Sequence, residues 1–90
     1  MNKTEEKISK FIREITNYPY LDEFTVEVNK ERDEVKLNQG CFEITIGLTE
    51  WFNLSTTEGG GMGVIDIEFV NDIIYHIDKI KEILEEGVNN

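Results

Sequence analysis

From Cys41 to Leu48 apolar and polar residues alternate without a break. Phe42, Ile44, Ile46 and Leu48 fall on one side, and Cys41, Glu43, Thr45 and Gly47 on the other. A period of two marks a strand buried on one face, because successive side chains point to opposite faces of a sheet. Two shorter copies precede it. Phe24, Val26 and Val28 alternate with Thr25, Glu27 and Asn29, and Val35 and Leu37 alternate with Glu34, Lys36 and Asn38. Lys30-Glu31-Arg32-Asp33 joins the first pair as a charged turn. Asn38-Gln39-Gly40 joins the second as a tight hairpin loop, with Gly40 supplying the positive φ such loops often need. A fourth strand is predicted over 64–70, where Ile65, Ile67 and Phe69 alternate with Asp66 and Glu68.

Helical periodicity brackets these strands. Ile8, Phe11, Ile12 and Ile15 recur at the spacing of one helix face. Asn2 with Glu5 three residues on has the form of a capping box, Thr4 is the alternative cap, and the helix should stop before Pro19. The last helix is predicted from about Asp72, capped by Asn71. Its stripe is Ile73, Ile77, Ile80 and Leu84, widened by Ile74 and Ile83, and Gly87 occupies the position of a terminating glycine. Positions 49–63 break both periods. Trp51, Phe52 and Leu54 there suggest a partly packed excursion or a short extra strand, and Ser55 to Gly61 a mobile loop. The order α-β-β-β-β-α implies a two-layer α+β sandwich, an antiparallel sheet of about four strands with the N- and C-terminal helices on one face. Ninety residues suit one domain, 1–90.

Charge is the feature that speaks to function. Nineteen acidic residues against nine basic leave a net charge of −10. From Leu37 to Asp78 the chain holds seven acids (Glu43, Glu50, Glu58, Asp66, Glu68, Asp72 and Asp78) and no Lys or Arg. If the apolar sides of the strands face the helices, the open sheet face receives Glu27, Glu34, Glu43, Asp66 and Glu68 against Lys36, a net of −4. Direct nucleic-acid binding is disfavoured, since it requires Lys and Arg to replace phosphate counterions. A single-sign face instead steers association with a basic surface, and carboxylates along strands can stand where phosphates would lie. The bland alternative is that these acids solvate the sheet and oppose edge-to-edge aggregation. Glu50 and Trp51-Phe52 form an aromatic pair beside an acid. Either the rings close one end of the core or they anchor a partner.

Other chemistries find little support. Gly59-Gly60-Gly61-Met62-Gly63 precedes a predicted strand rather than opening a helix and lacks a following Lys-Ser or Lys-Thr, so it does not read as a phosphate loop. His76, the only histidine, has no second histidine or spaced cysteines to share a metal, and reads as a helix-flank residue. Cys41 has no basic neighbour to lower its pKa, and a lone cysteine forms no intramolecular disulfide. The acids lack a calcium-loop register. Glu27 and Glu43, as a carboxylate pair with no pocket, suit acid–base catalysis poorly. No enzyme activity, cofactor or metal is therefore expected.

The outline is similar to that of small acidic inhibitors encoded by phages, in particular anti-CRISPR proteins. The shared features are a short chain, an N-terminal helix containing Phe11-Ile12-Arg13-Glu14-Ile15, acidic antiparallel strands and a terminal helix. The resemblance spans the whole chain in outline, without a residue motif. It implies a non-enzymatic inhibitor that covers the DNA-reading surface of a basic, nucleic-acid-binding protein. An immunity protein against a basic toxin shares this description, and a structural or self-associating accessory protein is the reading from another class. The expected contact residues are Glu27, Glu34, Glu43, Glu50, Trp51, Glu58, Asp66 and Glu68. With no signal-peptide or membrane-spanning pattern, the expected location is the cytoplasm, the host's if the chain is phage-encoded, with a homo-oligomer possible. The Ile-, Asn-, Lys- and Glu-rich vocabulary fits an AT-rich genome such as that of a low-GC bacterium or its phage.

Overall fold

The computed structural model describes residues 2–16, 24–39, 42–49, 51–56 and 64–88. Helix α1 (Lys3–Thr16) is followed by strands β1 (Thr25–Asn29), β2 (Glu34–Gln39), β3 (Phe42–Gly47) and β4 (Phe52–Thr56). Helices α2 (Val64–Tyr75) and α3 (Ile77–Val88) complete the chain. The strands pair in sequence order as one antiparallel sheet, β1-β2-β3-β4. The fold is the α+β sandwich that the alternating and helical patterns imply.

Register explains the core. Val26, Leu37, Ile44 and Leu54 lie in one cross-strand row, and Val28, Val35, Ile46 and Phe52 in the next. Ile8 and Ile12 of α1, Phe69 and Ile73 of α2, and Ile80 and Leu84 of α3 join these rows in a single apolar cluster. Phe69 is the central ring, with Phe24 and Phe42 tilted against it at 5.9 Å. Full burial of side chains this large contributes roughly 1.5–3 kcal/mol each.

The helix α1 begins with the expected capping box. The Asn2 side chain accepts from Glu5 N at 2.8 Å, and the Glu5 carboxylate accepts from Asn2 N at 3.4 Å. Thr4 is not the cap; it is buried against Gly87. In the β1–β2 turn the Asn29 side chain accepts from Glu31 N and Arg32 N, and Asp33 takes a left-handed φ of 51°. Asp and Asn tolerate that conformation better than most residues.

The segment 64–70 is helical, not a strand. In a strand Ile67 and Phe69 would share a face, yet Phe69 is fully buried while Ile67 is 48% exposed. The apolar residues from 64 to 70 match both periods. The stripe Phe69, Ile73, Ile77, Ile80 and Leu84, extending beyond that window, matches only the helical one. The fourth strand is supplied by 52–56 instead, the short extra strand that Trp51, Phe52 and Leu54 suggest. Asn71 consequently lies within α2 rather than capping a helix, and Gly87 lies within α3 rather than after it. The helical run is interrupted at His76, whose ring Nδ1 donates to the Asp72 carbonyl at 2.9 Å while its main-chain N donates to the same oxygen at 3.2 Å. Phe11 meets the imidazole edge-on at 5.8 Å. Ser55 and Thr56, expected in a mobile loop, instead end β4; the rest of that expected loop, 57–61, lies outside the described residues, as do Gly40, Cys41, Met62 and Gly63.

Candidate functional site

The sheet face turned away from the helices carries the second set of rows. Thr25, Asn38, Glu43 and Ser55 form one; Glu27, Lys36, Thr45 and Asn53 form the next. The third runs from Asn29 through Glu34 to Gly47. It continues to Trp51, whose carbonyl accepts a hydrogen bond from Gly47 N at 3.0 Å. The register therefore settles the position of the tryptophan. Trp51 belongs to the open face, not to the end of the core, and it is 39% exposed.

Gly47 makes that placement possible. A β-carbon there would collide with the Trp51 indole, so the ring lies over the glycine backbone. Glycine inside a strand commonly marks such a close approach. Beyond Gly47 in the same row is Glu34, a carboxylate-bearing residue only 6% exposed. Glu27 is exposed and Glu43 half-buried. Lys36 sits between them, directly across from Glu27 and with Nζ 3.9 Å from the Glu43 carboxylate. On the β1 side the face drops into an open cleft of about 510 Å³. Glu5, Glu27, Glu31 and Glu34 line it against Lys30 and Lys36.

Four of the eight expected contact residues thus gather on one surface: Glu27, Glu34, Glu43 and Trp51. Glu68 does not join them, because the segment carrying it is helical; it is exposed on α2. Asp66 belongs to the same helix, and its side chain, like Glu50 and Glu58, lies outside the described residues. The open face accordingly holds three acids and one base among the described residues, a net of −2 rather than −4. Amide and hydroxyl side chains fill the remaining positions (Thr25, Asn29, Asn38, Thr45, Asn53 and Ser55). Sequence reasoning did not single out Gly47. Its signal is a glycine on the polar side of a strand four residues before a tryptophan, the spacing of a tight hairpin.

Among the described residues, no group of three or more His, Cys, Asp or Glu side chains is placed to hold a metal ion. No helix among them is long and apolar enough to cross a membrane. No protein-family model matches the chain, and no curated protein or solved structure matches it either.

Proposed function

We propose that this chain is a small non-enzymatic binding protein, an inhibitor that docks its open sheet face on a basic, nucleic-acid-binding protein in the anti-CRISPR or DNA-mimic manner. The supporting observation is Trp51. It is a large, partly exposed aromatic held over Gly47 on the same surface as Glu27, Glu34 and Glu43. Tryptophans fixed in place and ringed by polar groups are the commonest binding hot spots, because they bury much area while losing little side-chain freedom. The exposed Glu27 and half-buried Glu43 supply complementarity to Lys and Arg on the partner and raise the encounter rate, while Glu34 lies beneath that surface. Lys36 sits among the acids, so an approaching partner meets a pattern of charge rather than a uniform sheet of it.

The test is capture from a nuclease-treated lysate of the source organism, with wild-type protein, Glu27→Lys/Glu43→Lys and Trp51→Ala immobilised in parallel. The expected result is a basic nucleic-acid-binding protein held by the wild type at low salt and released at high salt. Trp51→Ala should weaken it by roughly 2 kcal/mol, the usual cost of a hot-spot truncation, and the double charge reversal should abolish capture. Equal recovery on all three baits, or recovery of the bait alone, overturns the reading.

A further inference from the structure

The outer edge of β4 carries an inference of its own, independent of what the open face binds. Gly47 N donates to Trp51 O, which makes Gly47 and Trp51 a hydrogen-bonded pair of the antiparallel ladder. Such pairs alternate with non-bonded ones. Asn53 and Ser55 therefore bond inward to β3, while Phe52, Leu54 and Thr56 direct their main-chain N–H and C=O groups outward. No described residue bonds to those outward groups.

β4 is also the one strand of the sheet without a charged residue: its sequence is Phe52-Asn53-Leu54-Ser55-Thr56, whereas β1 carries Glu27, β2 Glu34 and Lys36, and β3 Glu43. Exposed edges are ordinarily blunted with charges or proline, and β4 has neither. In a chain of net charge −10, like-charge repulsion opposes the approach of a second copy almost everywhere. Within β4 itself no side chain adds to that repulsion, and the nearest acids in the chain, Glu50 and Glu58, lie beyond its two ends.

We propose that β4 pairs with β4 of a second copy, antiparallel about a two-fold axis at Leu54, to give a continuous eight-stranded sheet. The register is self-complementary. Phe52 meets Thr56 of the other copy, Leu54 meets Leu54, and Asn53 meets Ser55. All three outward-facing residues then fall in hydrogen-bonded pairs, the arrangement that uses every outward group of β4; a shift by two residues in either direction loses one such pair. Faces are preserved across the axis, as an isologous interface requires. Phe52 and Leu54, half-buried at the rim of the core, extend the apolar layer into the second copy, and only Asn53 and Ser55 meet on the open face. The two Trp51 rings and their acids come to lie on one side of the joined sheet, so the dimer presents two docking faces together.

The experiment is sedimentation velocity of the full chain from about 5 µM to about 1 mM, at low and high salt, because an interface of one short strand pair belongs to the small, concentration-dependent class. A monomer–dimer equilibrium that tightens with salt is expected, since screening removes repulsion between like-charged copies. Binding to a basic partner responds to salt in the opposite sense, which keeps failure of one reading separate from failure of the other. Asn53→Lys/Ser55→Lys sets Lys against Lys across the axis and should weaken the dimer more than tenfold, although it lowers the net negative charge. Asn53→Glu/Ser55→Lys sets Glu against Lys and should restore it. Both pairs of side chains are exposed in the monomer, and far-UV circular dichroism checks that each variant folds. A wild type that stays monomeric under all conditions overturns the proposal and leaves the edge to a strand of another protein. A dimer indifferent to the Lys pair overturns it too.

Discussion

At β1 the outward N–H of Val28 meets the Glu5 carboxylate at 3.0 Å, whereas at β4 the outward groups of Phe52, Leu54 and Thr56 meet nothing among the described residues. Both are edge strands of one sheet, and they are finished in opposite ways. Glu5 occupies one outward donor of β1 with a group that accepts hydrogen bonds, and it brings negative charge to the place where a foreign strand would pair. β4 carries no charge, and no side chain among the described residues bonds to its outward groups. Under the proposed pairing of two copies, only the β1 edge would need such a guard.

Two glycines support the contrast. Gly87 in α3 lets Thr4 pack against it, which seats the first turn of α1 and with it Glu5; Gly47 seats Trp51 at the start of β4. Matched prolines would expose the difference most strongly. Val28→Pro removes the donor that Glu5 Oε1 accepts and should cost roughly 2–3 kcal/mol in urea denaturation, because the contact between α1 and β1 is lost and a half-buried valine side chain goes with it. Thr56→Pro removes a donor that has no partner among the described residues and should stay within about 0.5 kcal/mol of wild type. Equal costs would mean the two edges do not differ as described. Next in size, Gly87→Ala should destabilise by about 1–2 kcal/mol through the clash with Thr4, against the gain of up to about 1 kcal/mol that alanine normally brings to a helix. The sign alone decides the matter. Glu5→Ala should cost about 1–2 kcal/mol by removing half of the capping box together with the β1 clamp, and it should speed amide exchange at Val28 without changing it at Leu54. Gly47→Ala should cost about 1 kcal/mol or less, since a half-exposed indole can swing outward. Its clearer sign is a red shift of Trp51 fluorescence and weaker partner capture.

Much of this architecture can be read in the chain, and what can be read depends on how many residues carry each pattern. Helix α1 and strands β1 to β3 follow from periodicity because the residues at their apolar spacing are those in the core: Ile8, Ile12, Val26, Leu37, Ile44 and Ile46. The capping box is legible because Asn2 and Glu5 interact locally. The segment 64–70 misleads because β-branched residues at 64, 65, 67 and 70 satisfy a strand and a helix at once, and the choice depends on tertiary packing of Phe69 and Ile73. With that segment helical, Asp66 and Glu68 leave the sheet, which halves the net charge expected on its open face. Glu5's second hydrogen bond and the seat of Trp51 on Gly47 are contacts between elements, and no local pattern announces them.

Glu5 and Val28 lie 23 positions apart in the chain, while the strands are joined by hairpins that close over a few residues. Loop closure is cheapest for local pairs, so in time the strand meander can assemble before the first helix returns to it. The clamp on β1 is then a late event. In kinetic terms the loss of this clamp in Glu5→Ala should appear as faster unfolding, with any slowing of refolding traceable to the local cap with Asn2. Until α1 docks, the nascent sheet has two open edges instead of one, and a newly made chain is most exposed to faulty pairing along β1 during that interval.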